Sequence, residues 1–551
     1  MRSDIRHKIL SIGRLMLVIL TIGGNSLIHG QYYQVTDLRA LAQQRGYDSI
    51  SATISTSGRV WGYLHRSNTR GPLVVYENGA LHDVFVPEIP GFSAFSVSDM
   101  NDAGDMVGSA HNNAPAGDGG VAILIQNGNV TNLGSFGYLT AEARFINNSG
   151  HIAGQVREFL NFPYDSIPHG FVYSNGSVSF VPNLIGRGSG VMGLTEAGQI
   201  GGTIFPALNN GFQQQAFSFL NGQISAFPYV RECSVNTIIE SGDLFGYCVN
   251  NSNGNLFAAK ISNGIVTNLG MLPIHPQTYC RANDANDTGL AVGGCFVNGN
   301  SLTTARALIF NEGQIYDVNE RTPPTFNVVL RDAGRVGNDG RILAYSSSSN
   351  STYLLTPTND TTPPTVFVND VYYPASNALG GVAHYAFGVQ DDFDRNPTVS
   401  YSIGSGSFFP IGSTEVTATA RDATGNTSTA TFNVHIYPVY QVEALFDQTK
   451  AHKSGSTVPI KIRVLDMNGN NVSSSSLPAN ALGTFQIDSG ASYNAEDSGN
   501  ANPDFNFRFE LGQQAYIYNL KIQGYETGTY WLRFRIGNTP VEYHVEFQVR
   551  Q

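Results

Sequence analysis

Four cysteines and one acidic run are the residues of this 551-residue chain whose types and spacing suit chemistry beyond packing. Cys233 and Cys280 each lie nine residues before a turn glycine, Gly242 and Gly289, and Cys248 and Cys295 each lie six residues after the same glycines. Each pair therefore flanks its turn symmetrically, and residues so placed face each other across a hairpin within disulfide range. A four-thiolate metal site is the alternative, but it lacks the C-x₂-C pairs that bring sulfurs together. Two disulfides, Cys233–Cys248 and Cys280–Cys295, are the expectation. The run Asp391-Asp392-Phe393-Asp394, with Asp422 and Asn426, offers clustered oxygens of the kind calcium takes. A solvated turn is the other reading, since neither EF-hand nor RTX spacing accompanies it. Calcium is the one cofactor with any support.

Other reaction chemistry leaves no local signature. His65, His82, His111, His151, His169 and His275 are scattered, and no H-E-x-x-H or similar metal spacing occurs. A G-x-S-x-G elbow, a P-loop and a dinucleotide-binding glycine pattern are all missing from suitable strand–helix contexts.

The elements that would position any site come from a sevenfold repeat. A turn ending in Gly, an apolar pair and usually a second Gly return as Gly58–Gly62, Gly104–Gly108, Gly150–Gly154, Gly198–Gly202, Gly242–Gly246, Gly289–Gly293 and Gly340–Ala344. Successive spacings are 46, 46, 48, 44, 47 and 51 residues. A second marker keeps step: Asn78-Gly79, Asn127-Gly128, Asn175-Gly176, Asn221-Gly222, Asn263-Gly264 and Glu312-Gly313, each between two apolar strands. Asn-Gly suits a type I′ hairpin, whose two central residues need positive φ. The second Gly of the first marker lies inside a strand, where it signals a close backbone approach.

Each unit thus holds four short strands, the size of one blade of a β-propeller. The seventh unit lacks its fourth strand, while Tyr33–Leu38 is a spare strand of that kind ahead of the first. A repeat array short of one strand at one end and holding it at the other is ring-like. The expected fold is all-β: a seven-bladed propeller over residues 31–357, then an immunoglobulin-like sandwich and a second small β-sandwich. The repeat resembles the bacterial extracellular HAF-repeat family, with its Asn-x-x-Gly-x-[Ile/Val]-x-Gly core, over about residues 50–356. Asn147–Gly154 and Asn286–Gly293 fit that core, whereas Thr195, Ile239 and Ala344 depart from it. The resemblance implies secretion and no particular activity.

The variable stretches His111–Gly120, Glu158–Pro168, Phe205–Gln215 and Asn298–Thr304 fall between second and third strands, so they should share one face. Phe159, Phe162, Tyr164, Phe205 and Phe212 would give that face exposed aromatics suited to stacking on a glycan or docking a protein. Packing against one another as loop clusters is the equal alternative.

After the hinge Asp360-Thr361-Thr362-Pro363-Pro364, strand-like segments resume. Phe409–Val416 followed by Asp422-Ala423-Thr424-Gly425-Asn426 resembles the HYR (hyalin repeat) module over residues 361–437, an immunoglobulin-like fold whose members are associated with extracellular adhesion. Residues 438–551, with Pro459-Ile460-Lys461-Ile462 and the closing strands Gly528–Phe534 and Val545–Val549, resemble the bacterial PxKF domain. Ile462 stands where the naming Phe usually does.

Arg6, Lys8 and Arg14 precede an apolar stretch, Leu15–Ile22, and then small and polar residues, which is signal-peptide anatomy over residues 1–30 with a cut after Gly30. A second apolar stretch of that kind is missing, so no membrane span is expected in the mature chain. Removing residues 1–30 leaves 27 basic against 41 acidic residues, a balance of −14, and Lys260 is then the only lysine before Lys450. Such a chain has no basic stripe for phosphates, which excludes nucleic acid as the expected partner. The reading is a secreted, non-catalytic binding or adhesion protein whose partner is an extracellular glycan or protein. A secreted polysaccharide hydrolase or lyase with a dispersed propeller site is one alternative, and a structural matrix or coat component is another.

Overall fold

The computed structural model describes residues 31–67, 69–112, 120–161, 165–182, 188–205, 214–227, 232–250, 252, 254–271, 278–297, 305–346, 351–498 and 505–551. The expected signal peptide lies outside them. The chain is all-β, and Leu38–Gln44 is the only α-helix among the described residues. Two compact units divide it: residues up to Thr361 together with Asp392–Arg395, and Thr362–Asp391 together with Asn396–Gln551.

The first unit holds seven four-stranded antiparallel sheets. The second sheet is typical, with strands Ala94–Met100, Met106–His111, Val121–Gln126 and Asn129–Gly134 paired in chain order. Its first two strands join at the turn Asn101–Asp105, closed by Gly104 at φ 86°. Its last two join through Asn127 at φ 48° and Gly128 at φ 74°, the pair of positive φ values that a type I′ turn requires. The strand glycine of the first marker answers a specific contact. A Cβ on Gly108 would lie 1.8 Å from the Ser96 carbonyl oxygen, and one on Gly293 would lie 1.9 Å from that of Arg281. This approach adjoins a bulge: in sheets two to seven the first strand slips by one residue at Asp99, Phe145, Gly193, Thr237, Asp284 and Arg335.

The seventh sheet draws on both ends of the unit. Its own strands are Asp332–Val336, Ile342–Ser346 and Ser351–Asn359, and its fourth is Gln31–Asp37, antiparallel to Ser351–Asn359 from Gln31↔Asn359 to Asp37↔Tyr353. The strand ends one residue before the expected Leu38. There the Asp37 carboxylate accepts the Ala40 N–H (3.0 Å) and caps the helix, an element the repeat pattern does not contain. Neighbouring sheets share apolar cores. Trp61, Leu73 and Val75 of the first sheet pack with Met100, Met106 and Ile123 of the second. Tyr33 and Leu355 of the seventh pack with Val292 and Ile309 of the sixth, and Leu343 and Leu354 of the seventh pack with Ile50, Val60 and Val74 of the first.

In the second unit, strands Val371–Pro374, Thr427–Tyr437, Gly412–Arg421 and Thr398–Tyr401 make a four-stranded sheet in that order, over a core of Tyr385, Phe409, Phe432, Val434 and Ile436. The C-terminal part has a four-stranded and a five-stranded sheet around one core that includes Ile460, Tyr518, Leu532, Phe534 and Phe547. None of the described helices is long and apolar enough to cross a membrane.

Candidate functional site

One cavity of about 130 Å³ is lined by the first strands of all seven sheets and by first-turn residues of the first six. Its titratable lining is Asp99, Asp102, Glu196, Glu240, Asp284 and Asp287, with Arg144 and Arg335. The bulges turn two of these carboxylates inward. Asp99 keeps some surface on the cavity but is otherwise enclosed by protein, and burial pushes its carboxyl up to about 6. It accepts the Met100 N–H at 2.9 Å and, across to the third sheet, the Ile146 N–H at 2.9 Å. Asp284 is the matching residue of the sixth sheet and accepts the Val336 N–H of the seventh at 3.0 Å. Burial raises it too, against the Arg335 guanidinium 3.9 Å away.

The remaining four belong to a chain of bonds between turns. In each repeat the residue two before the turn glycine is polar: Thr56, Asp102, Asn148, Glu196, Glu240, Asp287 and Asn338. Its backbone N–H donates to the side-chain oxygen of its counterpart in the next sheet, from Asp102 to Asn148 (2.9 Å), Asn148 to Glu196 (3.1 Å) and Glu196 to Glu240 (2.7 Å). The series continues from Glu240 to Asp287 (3.0 Å) and Asp287 to Asn338 (2.9 Å), and the Asn338 N–H donates to the Thr56 carbonyl of the first sheet (2.6 Å). The Ser57 hydroxyl supplies the remaining link, to Asp102. Asn101, Asn147 and Asn286 add a second tier. Each accepts the N–H four residues on at 2.8–3.1 Å and donates its amide to a carbonyl of the next turn, Asn147, Thr195 and Gly337 respectively. Reading repeats one at a time misses the residue two before each turn glycine; a polar column shared by all seven units is the signal that finds it.

The two disulfides join Cys233 to Cys248 and Cys280 to Cys295, cross-strand pairs in the fifth and sixth sheets. They are consistent with an extracellular protein.

Of the aromatic residues expected to bind a ligand, Phe162, Tyr164 and Phe212 lie outside the described residues. Phe205 ends the strand Ile200–Phe205, half-buried, with its ring over Gly190. Much of Glu158–Pro168 is strand and not loop, because the third sheet's second and third strands run on to Asn161 and resume at Asp165, pairing Glu158 with Ile167. A groove of about 600 Å³ lies between the first two sheets, lined by Tyr63, Arg70, Pro72, Phe95 and His111. Arg70 lies over the Tyr63 ring at 4.6 Å and donates to the Phe95 carbonyl at 3.1 Å.

The four aspartates considered for calcium divide, Asp392 and Asp394 grouping with the first unit and Asp391 and Asp422 with the second. Asp422 serves its own turn: Oδ1 accepts from Thr424 (2.8 Å), Gly425 and Asn426, and Oδ2 from the Asn426 amide (2.8 Å). Partial burial pushes its carboxyl up, but these bonds outweigh that and hold it low. Among the described residues, neither Asp394 nor Asp422 belongs to a group of three metal-ligating side chains within reach of one ion.

Residues 359–436 match the HYR domain. The β-propeller domain of the Trilobed protease from Pyrococcus furiosus aligns with 54% of this chain and 99% of its own, at 8% identity and a TM-score of 0.33. PorZ, a surface component of the type-IX secretion system of Porphyromonas gingivalis, aligns over 74% and 58%, at 8% identity and a TM-score of 0.29. The Plexin A4 extracellular region aligns over 95% and 76%, at 8% identity and a TM-score of 0.33. TM-scores this low establish no shared fold. No curated protein matches the sequence.

Proposed function

We propose that the seven sheets are the blades of a closed propeller, carried ahead of the HYR sandwich and a PxKF-like C-terminal module in a secreted protein. Its work is to bind an extracellular glycan or protein without turning it over. Shared cores from sheet to sheet and the return of the turn bonds from Asn338 to Thr56 support the ring. The HYR match and the two disulfides support an extracellular adhesive setting.

One observation carries the non-catalytic reading. The carboxylates at the axis accept bonds that tie each sheet to a neighbour, so their role in the fold accounts for their presence there. A general acid or base needs a carboxyl within reach of a substrate proton. Asp99 and Asp284 instead hold backbone N–H groups of the third and seventh sheets, at 2.9 and 3.0 Å. The raised carboxyls of Asp99, at about 6, and of Asp284 are what favours the second reading, a polysaccharide hydrolase.

A glycan array with a reducing-end readout separates the two. Binding without release of reducing ends is expected, and Phe162→Ser/Tyr164→Ser/Phe212→Ser should abolish it while leaving the melting curve unchanged. Normal binding by that triple variant overturns the assignment of the face, and depolymerisation by the wild type overturns the non-catalytic reading.

A further inference from the structure

We propose that the second unit carries a site of its own, a groove for a neutral oligosaccharide on the outer face of the HYR sheet. Strand Val371–Pro374 runs parallel to Thr427–Tyr437, which sets Tyr372 beside His435, with Ser413 across from His435 on the next strand. Val434 and Ile436 face the core, so these three side chains share the opposite face. Tyr372 is 62% exposed, yet its ring is fixed: it stacks on His435 with centroids 4.5 Å apart and planes 15° apart. His435 is held in turn by Asp370, 3.4 Å from its Nε2. An exposed aromatic face immobilised in this way has already given up the rotamer entropy that binding would cost.

This platform lies in a groove of about 660 Å³, whose other walls include Tyr440, Leu477, Arg535 and Asn538 from the C-terminal part of the same unit. The size fits two or three sugar residues. The basic side chains of the lining are His435 and Arg535, and each faces a carboxylate: Asp370 for the first and Glu542, 3.0 Å away, for the second. That compensation disfavours an anion. A pyranose presents an apolar C–H face, which covers an aromatic ring, and a rim of hydroxyls, which need both donors and acceptors. Arg535 and Asn538 supply donors, and Asn538 and Ser413 supply acceptors. A protein partner would need about 800 Å² of complementary surface per side, far more than this groove offers.

The test uses the full chain in affinity gels containing a soluble β-glucan, galactomannan or xyloglucan, with polygalacturonate as the anionic comparison. At least one neutral polysaccharide should retard the protein. Tyr372→Ala should weaken that binding about tenfold without changing the melting curve, and Tyr372→Phe should retain it. Retardation by polygalacturonate alone, no retardation in any gel, or wild-type retardation of Tyr372→Ala overturns the site. The Phe162→Ser/Tyr164→Ser/Phe212→Ser variant keeps this result distinct from the reading of the propeller face. If that variant loses the binding and Tyr372→Ala keeps it, the propeller reading stands and this site falls.

Discussion

At the scale of single residues, the motif asparagine carries two jobs at once. The Asn147 side chain accepts the His151 N–H at 2.8 Å within its turn and donates to the Thr195 carbonyl at 2.8 Å in the next sheet. Removing it leaves buried backbone groups unpaired, so Asn147→Ala should cost about 2 kcal/mol in urea unfolding. Asn147→Thr should fall between, because Thr195 shows what a threonine can do there: its Oγ1 accepts the Gln199 N–H at 3.0 Å. Wild-type stability of Asn147→Thr would count against the cross-sheet half of the role, and equal stability of the two variants against the in-turn half. Asp99 makes a prediction with a pH signature. Its carboxyl lies at about 6 in the folded chain, above the usual value near 4, so the folded state holds a proton that the unfolded state has lost between those limits. Stability from this group is therefore present below pH 4 and lost as pH rises through 6, by roughly 3 kcal/mol. The gap between wild type and Asp99→Asn should shrink over that window and stay flat above it. A flat difference throughout would mean that the carboxyl is not raised. Part of this was legible beforehand, since Asn147 and Asn286 open the repeated Asn-x-x-Gly core. What the asparagine bonds to was not, because its partner is some 46–51 residues away and belongs to another sheet.

At the scale of the element, the positive-φ glycines, the type I′ turns, the order of strands and both cysteine pairs follow from local spacing, and the chain adopts them. The bulges, the helix Leu38–Gln44 and the hairpin arms beyond Glu158 do not, since each depends on what the neighbouring sheet or strand offers. Strand Gln31–Asp37 is the element on which the seventh sheet depends. Tyr33 is fully buried in the core shared with the sixth sheet, and the strand pairs with Ser351–Asn359 from Tyr353 to Asn359. Deleting residues 31–37 removes that side chain and bares a sheet edge, so the truncated protein should lose at least about 3 kcal/mol or aggregate on concentration. An unchanged melting curve would show that the strand contributes little. Each disulfide closes a loop of sequence separation 15, for which chain entropy gives about 3 kcal/mol at most. Both lie in the first unit, which bears on the molecule as a whole.

At that largest scale, the two units rest on different kinds of order. The first repeats one sheet seven times and distributes its apolar side chains over cores shared between neighbours, so a defect in one sheet is felt by the sheets beside it. The second has its own cores, around Phe432 and around Tyr530, with no share in that series. Calorimetry on the full chain should therefore resolve two transitions. Gly108→Ala places a Cβ where the Ser96 carbonyl already lies, and the strand must shift to admit it, so this variant should lower one transition by several degrees. Reducing agent should lower the same transition, because Cys233–Cys248 and Cys280–Cys295 belong to the same unit as Gly108. Val434→Ala, which opens a cavity in the HYR core, should lower the other transition alone. If all three perturbations move a single cooperative transition, the units do not unfold separately. Ligand contact at the first unit and at the Tyr372 groove would then be coupled through stability, and a glycan bound at one should raise the melting temperature of the whole. If the transitions separate, a neutral polysaccharide held by the Tyr372 groove alone should raise the one that Val434→Ala lowers and leave the other where it was.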